Sequence, residues 1–146
     1  MVECMSVIKS KRKQGRLVVL TKAIEMTKYT VQICKNEKNF PKRDRWLLTQ
    51  PIVREAVDIL CCIRRANAVK VQPGHPEAAA YRRGQQMEAY AHAEAMLSLM
   101  EIAYVTLGIE HGRMEHWTGL VVETENLLQA WRKSDQERQN PKPAAE

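Results

Sequence analysis

Aromatic residues, glycine and proline are all scarce in this sequence. Phe, Trp and Tyr together make up 5% of its 146 residues, and there are six glycines and six prolines. Sandwiches and barrels of β-strands need frequent turns and many short strands, so this composition argues against them. The length is that of one domain, and such a chain buries enough surface to fold without disulfide or metal support.

Long apolar runs and paired cysteines are also missing. No stretch approaches the roughly 18 apolar residues of a membrane span, and no signal-like segment follows the basic N-terminus. The cysteines at positions 4, 34, 61 and 62 include no Cys-x-x-Cys pair, which removes the usual spacing of a zinc site. We therefore expect a cytoplasmic protein with reduced, buried cysteines and no membrane partner.

Motifs for catalysis and for cofactors are not found. The sequence has no glycine-rich phosphate loop, no G-x-S-x-G turn and no H-E-x-x-H helix. His111 and Glu115 are four residues apart, but Gly112 lies between them and no second pair completes a metal site. We expect no enzyme, and therefore no catalytic residues, no cofactor and no metal ligands.

Apolar residues repeat at intervals of three and four in four segments. This spacing places them on one face of a helix, and short connections make successive helices antiparallel neighbours. The sequence therefore predicts an all-α fold, an antiparallel up-and-down four-helix bundle over residues 15–133. A basic arm at 1–14 and a disordered tail at 134–146 flank it. The segments run over about residues 17–36, 41–66, 77–107 and 115–132.

The first segment has a regular apolar face, and the second contains a proline. The apolar face of the first is predicted to consist of Leu17, Leu20, Ile24, Thr27, Val31 and Cys34. Pro51 interrupts the second segment, because proline cannot donate a backbone hydrogen bond inside a helix. Either one long helix is kinked there, or a short helical turn precedes a helix that begins there. The apolar face of this second segment is predicted to consist of Leu48, Ile52, Ala56, Ile59, Ile63 and Ala66, and its repeat from Leu48 to Ile52 favours the kink.

The third segment is apolar on more than one side. One apolar face is predicted to consist of Ala89, Ala93, Met96, Met100, Ala103 and Leu107, and Leu97, Leu99, Ile102, Tyr104 and Val105 lie outside it. A helix at the surface of a monomeric bundle needs a single apolar stripe, so the excess indicates burial against other subunits. We predict a closed homo-oligomer. Its predicted interface residues are Met96, Met100, Ala103, Tyr104 and Leu107.

Charge is divided unevenly along the chain. Residues 1–72 contain 16 basic and 6 acidic residues, a net of +10, whereas residues 73–146 contain 7 and 11, a net of −4; together these give the net +6. A segregated charge distribution creates a directional field that attracts polyanions to one side. Because Tyr29 and Trp46 are the only stacking candidates in the basic half, we expect binding led by the phosphate backbone. A purely structural basic surface is the alternative.

The predicted nucleic-acid contacts are fifteen of the sixteen lysines and arginines of the basic half. They are Lys9, Lys11, Arg12, Lys13, Arg16, Lys22, Lys28, Lys35, Lys42, Arg43, Arg45, Arg54, Arg64, Arg65 and Lys70.

Several stretches between residues 15 and 134 carry a recognisable pattern. They are Phe40-Pro41-Lys42, Arg45, Leu48, Ile52, Asp58-Ile59-Leu60, Ile63, Ala66, the Leu107-Gly108 turn and Trp131-Arg132-Lys133. This pattern resembles the accessory variability determinants of diversity-generating retroelements. These belong to a group of small four-helix-bundle proteins that also includes the bacterial rRNA intervening-sequence proteins.

The resemblance implies a non-enzymatic accessory protein in the cytoplasm of a bacterial, archaeal or phage-infected cell. Members of this family form a homopentameric barrel and bind a retroelement reverse transcriptase. They also bind template RNA, with DNA or an RNA/DNA hybrid as further ligands, and support mutagenic retrohoming. Two alternatives stay open: an rRNA-associated bundle, and an oligomeric scaffold without nucleic-acid function.

Overall fold

The computed structural model describes residues 17–140 and forms four α-helices. We label them α1 (Val18–Lys35), α2 (Gln50–Ala68), α3 (Pro76–Leu107) and α4 (His111–Gln139). No strand occurs among residues 17–140, so the all-α prediction with four helices is confirmed. The predicted arm, with Lys9, Lys11, Arg12, Lys13 and the neighbouring Arg16, lies outside the described residues.

The helices form a closed ring of contacts. Each helix packs against the next one in the chain, and α1 packs against α4, while α2 and α3 share the most extensive contact. Short connections between such neighbours are typical of antiparallel helices. The arrangement is consistent with the predicted four-helix bundle.

The core contains the predicted apolar faces of α2 and α3. On α2 the buried residues include Ile52, Ala56, Ile59, Ile63 and Ala66, as predicted. The first residue of the predicted face, Leu48, precedes α2 and is half-buried. On α3 they include Ala89, Ala93, Met96, Met100 and Ala103, each with no exposed surface.

Burial of the α3 residues corrects the predicted subunit interface. Met96, Met100 and Ala103 belong to the core of a single chain and have no surface left for another subunit. Tyr104 and Leu107 are half-buried against the same core. The three-and-four repeat of apolar residues marked the side of α3 that faces its own bundle, because the regular apolar stripe of a helix packs against the core of its own chain.

The predicted apolar face of α1 is wrong. The buried residues are Val19, Ala23, Met26, Thr30 and Ile33, whereas Leu20 and Ile24 are half-buried and Val31 is exposed; of the predicted set, Cys34 is buried. The prediction selected the most hydrophobic residues of α1, whereas the buried face includes Ala23, which is small, and Thr30, which is polar. Thr30 is tolerated in the core since Trp117 donates a hydrogen bond from Nε1 to its hydroxyl at 2.9 Å, and that hydroxyl donates to the Met26 carbonyl at 2.8 Å.

Pro51 changes the helical hydrogen bonding instead of bending one long α-helix. A 3₁₀ turn (Lys42–Asp44) and a π turn (Arg45–Thr49) precede α2, which begins at Gln50. The Gln50 N–H reaches back five residues to the Arg45 carbonyl. Because Pro51 has no N–H and its ring crowds the carbonyl four residues earlier, the α-helical pattern starts only where proline is tolerated, in the first turn. The structure therefore matches the second alternative.

Helix α4 continues to Gln139, so the predicted start of the tail at residue 134 is too early. Asp135 is buried and pairs with Arg82 of α3, with 2.9 Å between Oδ2 and Nε. Gln86 donates to the same carboxylate at 2.8 Å, and Arg82 also donates to the Val69 carbonyl at 3.2 Å. Polar residues 134–139 are thus held in the helix by an ion pair that hydropathy does not reveal. Residues 141–146 lie outside the described part.

The turn between α3 and α4 requires glycine. Gly108 has φ of 68° and ψ of 37°, the left-handed conformation that ends many helices and that strains other residues. Ile109 follows and is buried, which anchors the chain before α4 begins.

Removing the Asp135 carboxylate should destabilise the protein. In Asp135→Ala, Arg82 and Gln86 lose their partner at a site where the Arg82 side chain is only 12% exposed. We expect the free energy of unfolding to fall by about 2–4 kcal/mol. Chemical denaturation measures it, and the exposed neighbour Gln136→Ala is the control, with a change of at most about 0.5 kcal/mol. Equal stability of both variants would contradict the role of this ion pair.

Candidate nucleic-acid interface

The outer faces of α1 and α2 carry exposed basic side chains. Lys28 and Lys35 lie seven residues apart on α1, and Arg54 and Arg65 lie eleven apart on α2, which places each pair on one side of its helix. None of these four forms an ion pair with a carboxylate of residues 17–140. They are free to contact phosphates.

Lys22 does not belong with these residues. Its Nζ lies 2.9 Å from Glu25 and 3.3 Å from Glu123 of α4, and its side chain is only 20% exposed. The hydrogen bond with Glu25 raises its pKa above the ordinary value. The two carboxylates compensate its charge, so this predicted phosphate contact is assigned to the α1–α4 contact instead.

The segment before α2 contains three of the predicted contacts. Lys42 lies 3.7 Å from Glu37 and Arg43 lies 3.8 Å from Asp44, while Arg45 has no ion pair within the described part of the chain. Ion pairs between exposed side chains contribute little, so phosphate groups can replace these carboxylates. Lys38, which was not among the predicted contacts, is exposed in the same region.

Arg64, Arg65 and Lys70 are exposed at the C-terminal end of α2. Cations at this end also interact favourably with the helix dipole, which explains part of the cluster without a ligand. Together with Lys28, Lys35, Arg45 and Arg54 they form what we call the basic surface. The structure places these seven residues on two adjacent helices, on the turn that joins them and, for Lys70, just after the end of α2.

A groove opens beside the turn that precedes α2. Its volume is about 490 Å³, and Phe40 and Cys34 form a buried floor. Trp46 stands at its edge with 72% of its surface exposed. The remaining lining residues are Val31, Lys35, Glu37, Pro41, Lys42, Arg45, Thr49, Gln50 and Val53.

The two predicted aromatic candidates differ in availability. Tyr29 is half-buried, packs edge-on against His116 at 4.8 Å between ring centroids, and reaches the Arg113 carbonyl with its hydroxyl. Trp46 has no aromatic partner among residues 17–140. Sequence reasoning identified Trp46 but not the groove, because its walls come from two separate parts of the chain.

The outer face of α3 is apolar and uncharged. Its exposed residues follow the three-and-four spacing over five turns, and Val105 is 76% exposed. Acidic residues flank it, including Glu88, Glu94 and Glu101. We call this face the α3 stripe. It consists of Met87, Ala91, Ala95, Ser98, Ile102 and Val105.

Glu125 of α4 is a buried carboxyl group beside Glu94 of α3. Burial, together with a hydrogen bond and charge repulsion from the adjacent Glu94, raises its pKa to about 7. Oε2 of Glu125 is buried and receives no hydrogen bond from a donor of residues 17–140. Two carboxyl groups in such contact are compatible when one proton lies between them.

None of the helices within residues 17–140 is both long and apolar enough to cross a lipid bilayer. In the same residues, no three His, Cys, Asp or Glu side chains come together as metal ligands would. His111 and Glu115 are exposed, with 3.8 Å between Nε2 and Oε2.

No protein-family model matches this sequence, and no curated protein is similar to it. The fold is similar to the crystal structure of a protein of unknown function from the S23 ribosomal protein family of Bacteroides thetaiotaomicron. The TM-score is 0.66 at 20% sequence identity, over 79% of this chain and 98% of that one. At this identity the likeness shows the fold, which is all-helical.

The Glu94–Glu125 contact should make stability fall as pH rises. Because the pKa of Glu125 is about 7 in the folded state against 4.5 ordinarily, the folded state retains a proton that the unfolded state has lost. The free energy of unfolding therefore decreases from about pH 5 to about pH 8. Glu125→Gln should reduce this decrease, since the amide can donate to Glu94 at every pH.

Thermal unfolding across that pH range measures the effect. The four histidines are common to both proteins, so the difference between the two curves isolates Glu125. The exposed Glu137→Gln is the control and should reproduce the wild-type curve. An unchanged pH dependence in Glu125→Gln would show that Glu125 is ionised in the folded protein.

Proposed function

We propose that this protein is a non-enzymatic nucleic-acid-binding subunit that supports a retroelement reverse transcriptase. The observation that carries the proposal is the basic surface: seven exposed cations on α1, on α2 and in the segments on either side of α2, none paired with a carboxylate of residues 17–140. A protein gains no stability from such a concentration of like charge. Its use is attraction of a polyanion.

Phosphate contacts dominate this binding. Lys and Arg side chains on convex helix faces meet a sugar–phosphate backbone and carry little sequence information. Counterion release then makes the logarithm of the affinity fall linearly with that of the salt concentration, with a slope near −0.9 per phosphate on duplex DNA and about −0.7 on single strands. The preferred ligand is the template RNA, with DNA or an RNA/DNA hybrid bound in the same manner.

Self-assembly forms part of the proposal. The α3 stripe is an exposed apolar face with acidic flanks. Two such acidic faces repel each other, so the stripe packs against a different face of the next subunit, outside the basic surface. That contact is heterologous, and its repetition forms a ring where the rotation between subunits closes. The resemblance to retroelement accessory proteins suggests five subunits.

A ring supports the reverse transcriptase by multivalency. Each subunit repeats the basic surface, and simultaneous engagement of linked sites raises apparent affinity by about 10²–10⁴. The acidic surface of the C-terminal half is the proposed docking site for the basic reverse transcriptase. RNA and enzyme are then held in one complex without any chemistry by this chain.

An rRNA-associated bundle is the second candidate. The observation in its favour is the fold shared with a protein of the S23 ribosomal protein family. A reverse transcriptase gene and a template/variable repeat pair beside the coding gene favour the retroelement function. Co-purification with 23S rRNA and the absence of such neighbours would favour the rRNA function.

Charge reversal at the end of α2 should weaken RNA binding. In Arg64→Glu/Arg65→Glu we expect at least a roughly tenfold loss of affinity and a salt slope shallower by about 1–2. Filter binding over a range of salt concentrations measures both. Lys133→Glu/Arg138→Glu makes the same charge change on exposed positions of α4 and should lower affinity less. Equal losses in both variants would contradict a binding site on the basic surface.

Charge on the α3 stripe should prevent self-assembly. Ile102→Arg/Val105→Arg buries two charged side chains in an apolar contact, so light scattering should give the monomer mass of 16.8 kDa with unchanged helix content. Asn126→Arg/Ala130→Arg, at exposed positions of α4, should assemble normally. With purified reverse transcriptase and RNA, the monomeric variant should lose stimulation of cDNA synthesis. Full stimulation by a monomer would reject the multivalent mechanism.

A further inference from the structure

Trp46 is the most exposed aromatic side chain described in the structure, and it stands in an unusual backbone. It lies in the π turn Arg45–Thr49 that Pro51 imposes on the start of α2. Leaving Trp46 72% exposed to water forgoes much of the stabilisation that burial provides. Single π turns occur frequently at functional sites. The position indicates an aromatic surface kept open for a ligand.

The groove beside Trp46 has the size and lining of a site for a flat apolar group. Its volume of about 490 Å³ is within the roughly 300–1,000 Å³ of small-ligand clefts. Phe40 and Cys34 close its floor, and Phe40 is fixed there by edge-on contact with Trp117 at 5.9 Å between centroids. The floor is therefore rigid, while the Trp46 wall is accessible.

Polar groups also line the groove. Thr49 Oγ1 is buried and has no hydrogen-bond partner within residues 17–140. The exposed Gln50 follows it in the lining. A hydroxyl and an amide together offer donors and acceptors to the polar edge of a nucleobase.

Cations surround the same groove. Lys35, Lys42 and Arg45 are lining residues with exposed charges, and Glu37 is the one acidic residue among them. Lys35 and Arg45 also belong to the basic surface, so a strand bound to that surface passes the mouth of the groove. This charge complementarity favours a nucleic acid over an apolar peptide.

We propose that the Trp46 groove binds an unstacked base of single-stranded nucleic acid, stacked on the indole, while the surrounding cations hold the adjacent phosphates. The inference rests on the proposed nucleic-acid binding and specifies its ligand as single-stranded. Bases within a duplex are already stacked and cannot enter, whereas those of a single strand stack on exposed aromatic side chains. The basic surface alone binds either form.

The test compares two RNAs and three variants of the full-length protein. The RNAs are a single strand of roughly ten uridines and a duplex of roughly ten base pairs, long enough to cross the groove. Trp46→Ala removes the stacking surface, Trp46→Tyr keeps an aromatic ring, and Leu47→Ala is the matched control. Leu47 is the next residue, is also 72% exposed and does not line the groove.

We expect Trp46→Ala to lower affinity for the single strand by about tenfold or more, with duplex affinity changed less than about twofold. Trp46→Tyr should restore most of the affinity, and Leu47→Ala should match the wild type. The salt slope should be unchanged in Trp46→Ala, because the indole contacts no phosphate. The single strand should also quench wild-type tryptophan fluorescence, and this quenching should be lost in Trp46→Ala since Trp117 and Trp131 are buried.

Three results would overturn the inference. If Trp46→Ala affects both RNAs equally or neither, the groove is not a base site, although the Arg64/Arg65 result can still support the proposed function. If the wild type binds neither RNA, the proposed function fails and the inference with it. If Trp46→Ala changes the oligomeric mass while RNA affinity is unchanged, the groove is a contact between copies of this chain.

Discussion

Burial of Trp117 is the interaction on which the rest of this structure depends. The indole has no exposed surface, and it donates to Thr30 of α1 while Phe40 packs against its ring. One side chain of α4 thus positions α1 and the connection to α2. Because the Thr30 hydroxyl also donates to a backbone carbonyl, every polar atom in the arrangement is satisfied. The same contact makes Phe40 the fixed floor of the groove.

Pro51 is the second residue with a large influence on the fold, because it cannot donate a backbone hydrogen bond. Its ring and its lack of an N–H prevent an α-helix from running through residues 42–68, and the chain uses 3₁₀ and π turns instead. The wider turn carries Trp46 and Leu47 on the surface. A residue that looks like a defect in a helix thereby places an aromatic side chain among lysines and arginines.

Charge and exposed apolar surface are distributed so that different sides of the bundle differ in chemical character. The α1–α2 side carries the basic surface, and the α3 stripe is apolar between carboxylates. Between α3 and α4, the buried Glu125 contacts Glu94, which couples the packing of these helices to proton concentration. In the proposed function the α3 stripe mediates association and the basic surface binds nucleic acid, and these two surfaces lie on different helices.

The sequence by itself determined the number and type of helices, the apolar faces of α2 and α3, and the concentration of positive charge in the first half. These are local properties, since a three-and-four repeat of strongly apolar residues specifies a helix face without reference to its partner. The tertiary structure decided the features that depend on a contact with a residue far away in the sequence. Thr30 enters the core only because Trp117 hydrogen-bonds to it, and Asp135 extends α4 only because Arg82 lies opposite. Lys22 is not part of the basic surface, because Glu123 of α4 lies 3.3 Å from its Nζ and compensates its charge. The Trp46 groove forms only where α1 meets the turn before α2.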